Sequence, residues 1–225
     1  MSKKEQKKQD ELANVEHALT SSELFIEKYQ KQIFIAVSAV VLVILVILAF
    51  RNFYLEPREV KAQNQMYYAQ DYFQKDSFQL ALNGNGADVM GFKQIVSDFG
   101  MTSSSNLAKA YAGICYYHLG DYENAVGYLS KYKLGDEYLS CSVTRLIGDA
   151  YVELGKNADA LKYFEKAGNM NNDIISPVAL KKAGILYEST GEPEKAAKAY
   201  LKVKDNYPRS AEARDIDKYL ARVKK

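Results

Sequence analysis

The chain has no tryptophan, and only two cysteines, two histidines and four prolines among its 225 residues. Two thiols cannot build a disulfide-dense scaffold or a four-thiolate zinc site. The histidines, His17 and His118, stand far apart in the sequence, which leaves no histidine cluster to hold a metal, and no cofactor is expected. An excess of one charge is missing too. Thirty Lys and Arg face 28 Asp and Glu, a formal charge of +2, so there is no bulk attraction for nucleic acid. No enzyme motif stands out either. Gly84 and Gly86 lack the following Gly-Lys-Ser/Thr of a phosphate loop, and His118 has no Ser or Asp partner pattern. The carboxylates are spaced as on solvated helix faces. The expectation is a protein that is not an enzyme.

What is present is unevenly spread. Ile33 to Phe50 reads IFIAVSAVVLVILVILAF, without a charge and with Ser38 as its one polar side chain. As a helix this run spans about 27 Å, close to the hydrocarbon thickness of a bilayer. Tyr29 on one side and Phe50, Phe53 and Tyr54 on the other suit the two interfaces. A core helix would show a polar stripe, and this run has none. A signal peptide would have a shorter preceding region and a small-x-small cleavage site, whereas 32 residues come first and Ala49-Phe50-Arg51-Asn52 fits cleavage poorly. The run is read as a single transmembrane helix over 33–50. Lys28 and Lys31 against Arg51, Arg58 and Lys61 give no orientation signal. The six lysines of residues 1–32 favour a cytoplasmic N-terminus. Thr20 with Glu23 offers a capping-box start for a juxtamembrane helix in that tail.

Beyond the run the sequence repeats. Gly113-Ile-Cys-Tyr-Tyr-His-Leu-Gly120, Gly148-Asp-Ala-Tyr-Val-Glu-Leu-Gly155 and Gly184-Ile-Leu-Tyr-Glu-Ser-Thr-Gly191 superpose without gaps, and Ala125, Ala160 and Ala196 follow five positions after each. The period is 35 residues, then 36. The spacing describes pairs of antiparallel helices. Gly113, Gly148 and Gly184 admit a close helix approach, with Tyr116, Tyr151 and Tyr187 beside the contact. Gly120, Gly155 and Gly191 supply positive φ at the helix ends. In the second helices, Leu129, Phe164 and Tyr200 are the large apolar partners. Residues 58–76 and 89–99 read as a degenerate first pair around the turn formers Asn83-Gly84-Asn85-Gly86. Ser210 to Val223 reads as a closing helix with Ala213, Ile216, Leu220 and Val223 on one face.

This pattern of small residue, Tyr, turn Gly, Ala and large apolar residue resembles the tetratricopeptide repeat, and Pro208 stands at that family's closing position. Lys109, Thr144 and Leu180 replace its usual early aromatic. The expected fold is all-α: an N-terminal single transmembrane helix followed by a tetratricopeptide-repeat α-solenoid. Its expected segments are a cytoplasmic tail over 1–32, the transmembrane helix over 33–50, and a linker with the degenerate repeat over 51–105. Repeats over 106–140, 141–176 and 177–208 and a capping helix over 209–225 complete it. Cys115 falls late in its helix and Cys141 at the start of the next equivalent one, an offset of about 13 Å along the axis, so two free thiols are expected.

A stack of helix pairs offers a groove lined by the first helix of each unit. Projecting the groove positions gives Ile114, Tyr117 and His118, then Arg145, Asp149 and Glu153, then Lys181 and Glu188. Ala110, Val152, Ile185 and Ser189 complete the same projection. Arg145 and Lys181 sit where some tetratricopeptide modules clamp a carboxylate, but Ile114, Asp149 and Ile185 replace the Asn residues of that clamp. Tail, anchor and repeat domain together resemble the ancillary subunit family of the bacterial SecYEG translocon, the YfgM-like proteins. Ser22-Glu-Leu-Phe-Ile-Glu-Lys28, Ala81-Leu-Asn-Gly84 and Asn106-Leu-Ala108 look like the versions from Bacteroidetes. That resemblance implies an inner-membrane protein with a periplasmic domain. It implies contact with Sec translocon subunits and the handing of secreted chains to periplasmic chaperones. A cytosol-facing anchored receptor and a scaffold for an envelope or cell-division complex remain open beside it. Protein partners and the lipid bilayer are expected; nucleic acid and small-molecule substrates are not.

Overall fold

The computed structural model describes residues 28–223, and every named element among them is helical. The capping-box residues Thr20 to Glu23 and most of the expected tail lie outside the described residues. The chain divides into two units at Glu56 and Pro57.

The first unit contributes helix α1, residues 28–50, followed by a π-helical turn at Arg51–Leu55. This helical segment is long and apolar enough to cross a membrane. The apolar side chains of α1 stay uncovered: Phe34 is 74% exposed and Leu42 63%. Such a continuous apolar surface is costly in water and stable in lipid. Phe50 stacks on Tyr54 at 5.0 Å at one end of the run.

The second unit starts with α2 (Glu56–Gln74), α3 (Phe78–Asn83) and α4 (Phe92–Asp98). The sequence leads one to expect two helices here, with the second beginning near Val89. The short α3 intervenes, and the following turn delays α4 to Phe92. Gly84 has φ +79°, and a Cβ on Gly91 would fall 2.4 Å from backbone atoms of Asn83 and Gly84. Only glycines allow the two ends of this loop to close so tightly. Glu59 of α2 reaches across to the start of α5 (Ser103–His118). Its carboxylate accepts from the Ser103 N–H at 2.7 Å and from the Ser104 N–H and hydroxyl at 3.1 and 2.6 Å. It thus satisfies donors that the helix start leaves unpaired, favoured by the helix dipole. Ala62, Met66 and Ala69 of α2 share a core with Phe92, Ile95 and Ala108.

Three helix pairs follow. They are α5 with α6 (Tyr122–Leu129), α7 (Glu137–Glu153) with α8 (Asn157–Gly168), and α9 (Ile175–Ser189) with α10 (Pro193–Asn206). In each pair the same contact closes the core. A Cβ on Gly113 would lie 2.5 Å from the Leu129 side chain, on Gly148 2.7 Å from Phe164, and on Gly184 2.2 Å from Tyr200. Ala125, Ala160 and Ala196 are fully buried beside them. Gly120, Gly155 and Gly191 take φ of +78°, +69° and +77°. In each turn the next N–H donates to the carbonyl of the repeat tyrosine: Asp121 to Tyr116, Lys156 to Tyr151 and Glu192 to Tyr187, at 2.8–2.9 Å. This is the Schellman closure of a helix C-terminus. Thr102, Asp121 and Asp136 cap the starts of α5, α6 and α7 with their side-chain oxygens.

The closing segment is broken where one helix was expected. A 3-10 turn at Glu212–Arg214 precedes α11 (Ile216–Val223), and the Ser210 hydroxyl accepts from the Ala213 N–H at 3.1 Å. Ile216 and Leu220 nevertheless bury themselves against Leu180, Ala183, Tyr200 and Val203. Cys115 and Cys141 are free and fully buried. Burial pushes the Cys115 thiol up to about 12. Cys141 lies a turn inside α7 rather than at its start, and its Sγ is 3.4 Å from the Ala167 carbonyl.

Gly148→Leu therefore drives a branched side chain into the Phe164 ring and should cost at least about 1–3 kcal/mol. Lys162→Leu, on the exposed face of α8, should change stability by no more than about 0.5 kcal/mol. Equal shifts of the two variants in denaturant unfolding would contradict the helix approach.

Candidate functional site

The first helices of successive pairs, α5, α7 and α9, share one face. Between them lies a cavity of about 330 Å³. Its apolar lining comes from Val152, Phe164, Ile185 and Leu186, and its polar edge from Tyr117, Asp149, Glu153, Lys182 and Ser189. Val152 and Ile185 remain 38% and 43% exposed, so the apolar part is open to a partner. Burial, and then the charges of Asp149 and Glu153, push the Tyr117 phenol up. It stays protonated and can donate to an incoming acceptor.

Asp149 is the pivot of this wall. It is 7% exposed, and buried carboxylates need compensation. Arg145, one turn earlier on α7, pairs with one oxygen, and Lys182 of the next repeat donates to the other at 2.6 Å. One buried acid thus joins two repeats and holds two cations along the cavity.

The projected groove residues are only partly gathered here. Tyr117, Asp149, Glu153, Val152, Ile185 and Ser189 line the cavity. Arg145 is drawn to it through Asp149. Ala110 is buried in the core, and Ile114 packs against the core of the first pair. His118 stacks flat on Phe78 of α3 at 4.3 Å. Lys181 and Glu188 turn to the closing segment. Lys181 donates to both oxygens of Asp215 at 2.7 and 2.9 Å and sits 4.6 Å over the Tyr219 ring. Glu188 accepts from the Tyr200 hydroxyl and, at 3.0 and 3.2 Å, from the Arg222 guanidinium. Lys182, Phe164 and Leu186 were missed by the projection. Lys182 neighbours a projected position on α9, and only the stagger of adjacent repeats shows that it reaches back to Asp149. Among the described residues no group of three or more metal-ligating side chains comes together.

These elements define a class: an all-helical solenoid of antiparallel helix pairs with one open face. Tetratricopeptide-repeat families match residues 145–211 and 111–134, so these segments of the chain are tetratricopeptide repeats. No curated protein sequence matches it. Among solved structures, a tetratricopeptide repeat protein from Parabacteroides merdae superposes with a TM-score of 0.57 at 16% identity, covering 72% of this chain and 59% of that one. The MamA protein superposes at 0.55 with 19% identity over 72% and 89%. The tetratricopeptide-like repeats of a putative kinesin light chain from Podosopora anserina give 0.55 at 16% identity over 72% and 85%. At these identities the likeness concerns the fold. That fold typically acts by holding proteins rather than by catalysis.

Two outcomes test the wall and its closure. Asp149→Ala strands Arg145 and Lys182 and should cost about 1–3 kcal/mol in urea unfolding, below the value for a fully buried pair because Lys182 is 41% exposed. For Glu188, burial raises the carboxyl, but hydrogen bonds from Arg222 and Tyr200 outweigh it and hold the group below the usual carboxylate range. A depressed folded value stabilises above the unfolded value of about 4.3 and is lost as pH falls through the folded one. Amide exchange in α11 should therefore accelerate relative to α7 below about pH 4. Glu188→Gln should accelerate it at neutral pH as well.

Proposed function

We propose that this protein is a membrane-anchored adaptor that holds protein partners on the face formed by α5, α7 and α9. The observation that carries this reading is the open cavity on that face, apolar on its floor and ringed by Tyr117, Asp149, Glu153 and Lys182. A cavity of this size accepts one or two apolar side chains of a peptide or helix, while its polar edge orients the partner backbone. Residues 33–50 are the anchor, with the N-terminus in the cytoplasm and the repeat domain in the periplasm of a bacterial inner membrane. At that place the adaptor works beside the Sec translocon and helps to pass secreted chains to periplasmic chaperones. The arrangement of tail, anchor and repeats supports this finer reading.

The test uses photo-crosslinkers placed at Tyr117, Ile185 and, as an outer-face control, Leu201 in intact cells. Capture of translocon subunits or periplasmic chaperones from Tyr117 and Ile185 but not from Leu201 is the expected outcome. Capture from Leu201 alone would refute the face. Because both native thiols are buried, sidedness is read from Ser130→Cys, which is exposed. This cysteine should react with a membrane-impermeant reagent in cells whose outer membrane has been made permeable. Protection until the inner membrane is opened would place the domain in the cytosol and end the translocon reading.

A further inference from the structure

The opposite face of the solenoid carries a second cavity with different chemistry. It lies between α8 and α10 over α9, has a volume of about 250 Å³, and has Leu180, Ala183 and Ala199 among its lining. Its existence follows from one departure in the repeat. In the first two pairs a tyrosine stands fifteen residues after the close-approach glycine. Tyr128 lies 5.2 Å from Tyr116, and Tyr163 lies 5.5 Å from Tyr151, ring to ring. In the third pair that place is held by Ala199, and Tyr187 has no ring to meet there. The Tyr187 hydroxyl donates instead to Glu165 of α8 at 2.6 Å. The space left open is edged by Lys195, Lys198 and Lys202. These sit at i, i+3 and i+7, on one face of α10 over about 10 Å.

Two of the three lysines are weakly committed. Lys195 pairs with Glu192 and lies 5.4 Å over the Tyr187 ring, but Lys202 reaches only the Asn169 side-chain oxygen, at 3.4 Å. Among the described residues Lys198 has neither ion-pair nor hydrogen-bond partner. Glu165 is the one carboxylate on the cavity wall, and one of its oxygens is engaged by the Tyr187 hydroxyl. The first two pairs have Asn124, Gly127 and Lys131, then Asp159, Lys162 and Lys166, at the corresponding places, so the row of three is peculiar to the third pair.

We propose that this cavity is a second docking site, for an acidic peptide segment of a protein partner. Lys195, Lys198 and Lys202 stand about 4.5 and 6 Å apart along α10, so their long side chains can reach alternate side chains of an extended chain, which point the same way about 6–7 Å apart. A narrow cleft with an apolar floor admits a peptide, whereas a bilayer surface or a duplex needs a broad basic plateau, and the chain as a whole carries almost no net charge.

The experiment uses the full chain in nanodiscs of zwitterionic phosphatidylcholine and the fluorescence anisotropy of a labelled peptide of alternating Glu and Ser. The Glu peptide should bind, weaken with added salt, and outbind its Gln counterpart. Lys198→Glu with Lys202→Glu should weaken it at least about tenfold. Ala199→Tyr, which restores the filling ring without changing charge, should weaken it comparably. Lys131→Glu with Lys133→Glu should leave it unchanged. Absence of binding, equal binding of the Gln peptide, or an equal loss in the Lys131 and Lys133 control would overturn the proposal. So would Lys198-dependent binding of phosphatidylglycerol vesicles without binding of the peptide. None of these readouts involves the α5, α7 and α9 face, so failure here leaves the adaptor reading standing.

Discussion

The repeat domain depends on one steric constraint: two antiparallel helices approach so closely that a side chain at the crossing has no room. Gly113, Gly148 and Gly184 occupy that crossing, and Leu129, Phe164 and Tyr200 fill the space a Cβ would take. Dispersion and apolar burial reward this contact only if the fit is tight. The turn glycines then close each pair within a few residues, so the spacing between helices leaves little freedom. From one such contact, repeated every 35 or 36 residues, the stacking of the pairs follows.

Stacking also decides where charge can be placed. Asp149 with Lys182, Lys181 with Asp215 and Glu188 with Arg222 all join residues 33 or 34 positions apart, nearly one repeat. Each pair bridges a first helix to the element that follows it in the stack. Ion pairs at the surface contribute little singly, but these set the register of neighbours on the open face. The last two close the solenoid against α11, whose apolar face covers the end of the core. Departures from the repeat then distinguish the two faces: Val152 and Ile185 are left exposed on one, and Ala199 stands in place of a tyrosine on the other.

Much of this was legible in the sequence, because the helix approach and the turn are encoded within one unit. The glycine, tyrosine and alanine spacing identified the contact partners by number, and the α1 run announced itself by lack of charge. The degenerate first pair was less legible. A helix as short as α3 has too few residues for a period, and the Glu59 cap on α5 joins residues more than forty apart. The open face was read in part. Tyr117, Asp149 and Glu153, projected from the helical period, line the cavity. Lys182 lies outside that projection, because its partner belongs to another repeat, and Lys181 and Glu188 were claimed by a closing segment whose path past Ser210 no local pattern specifies.

The account stands or falls on the close approach at the glycines, and a double-mutant cycle in the α7 and α8 pair reads it directly. Gly148→Ala and Phe164→Leu should each destabilise the protein in chemical unfolding, the first by crowding and the second by loss of buried surface. Combined, they should cost less than their sum by at least about 0.5 kcal/mol, since the smaller partner makes room for the new methyl. Strict additivity would mean that Gly148 and Phe164 do not meet, and the helix pairing described for this protein would be wrong.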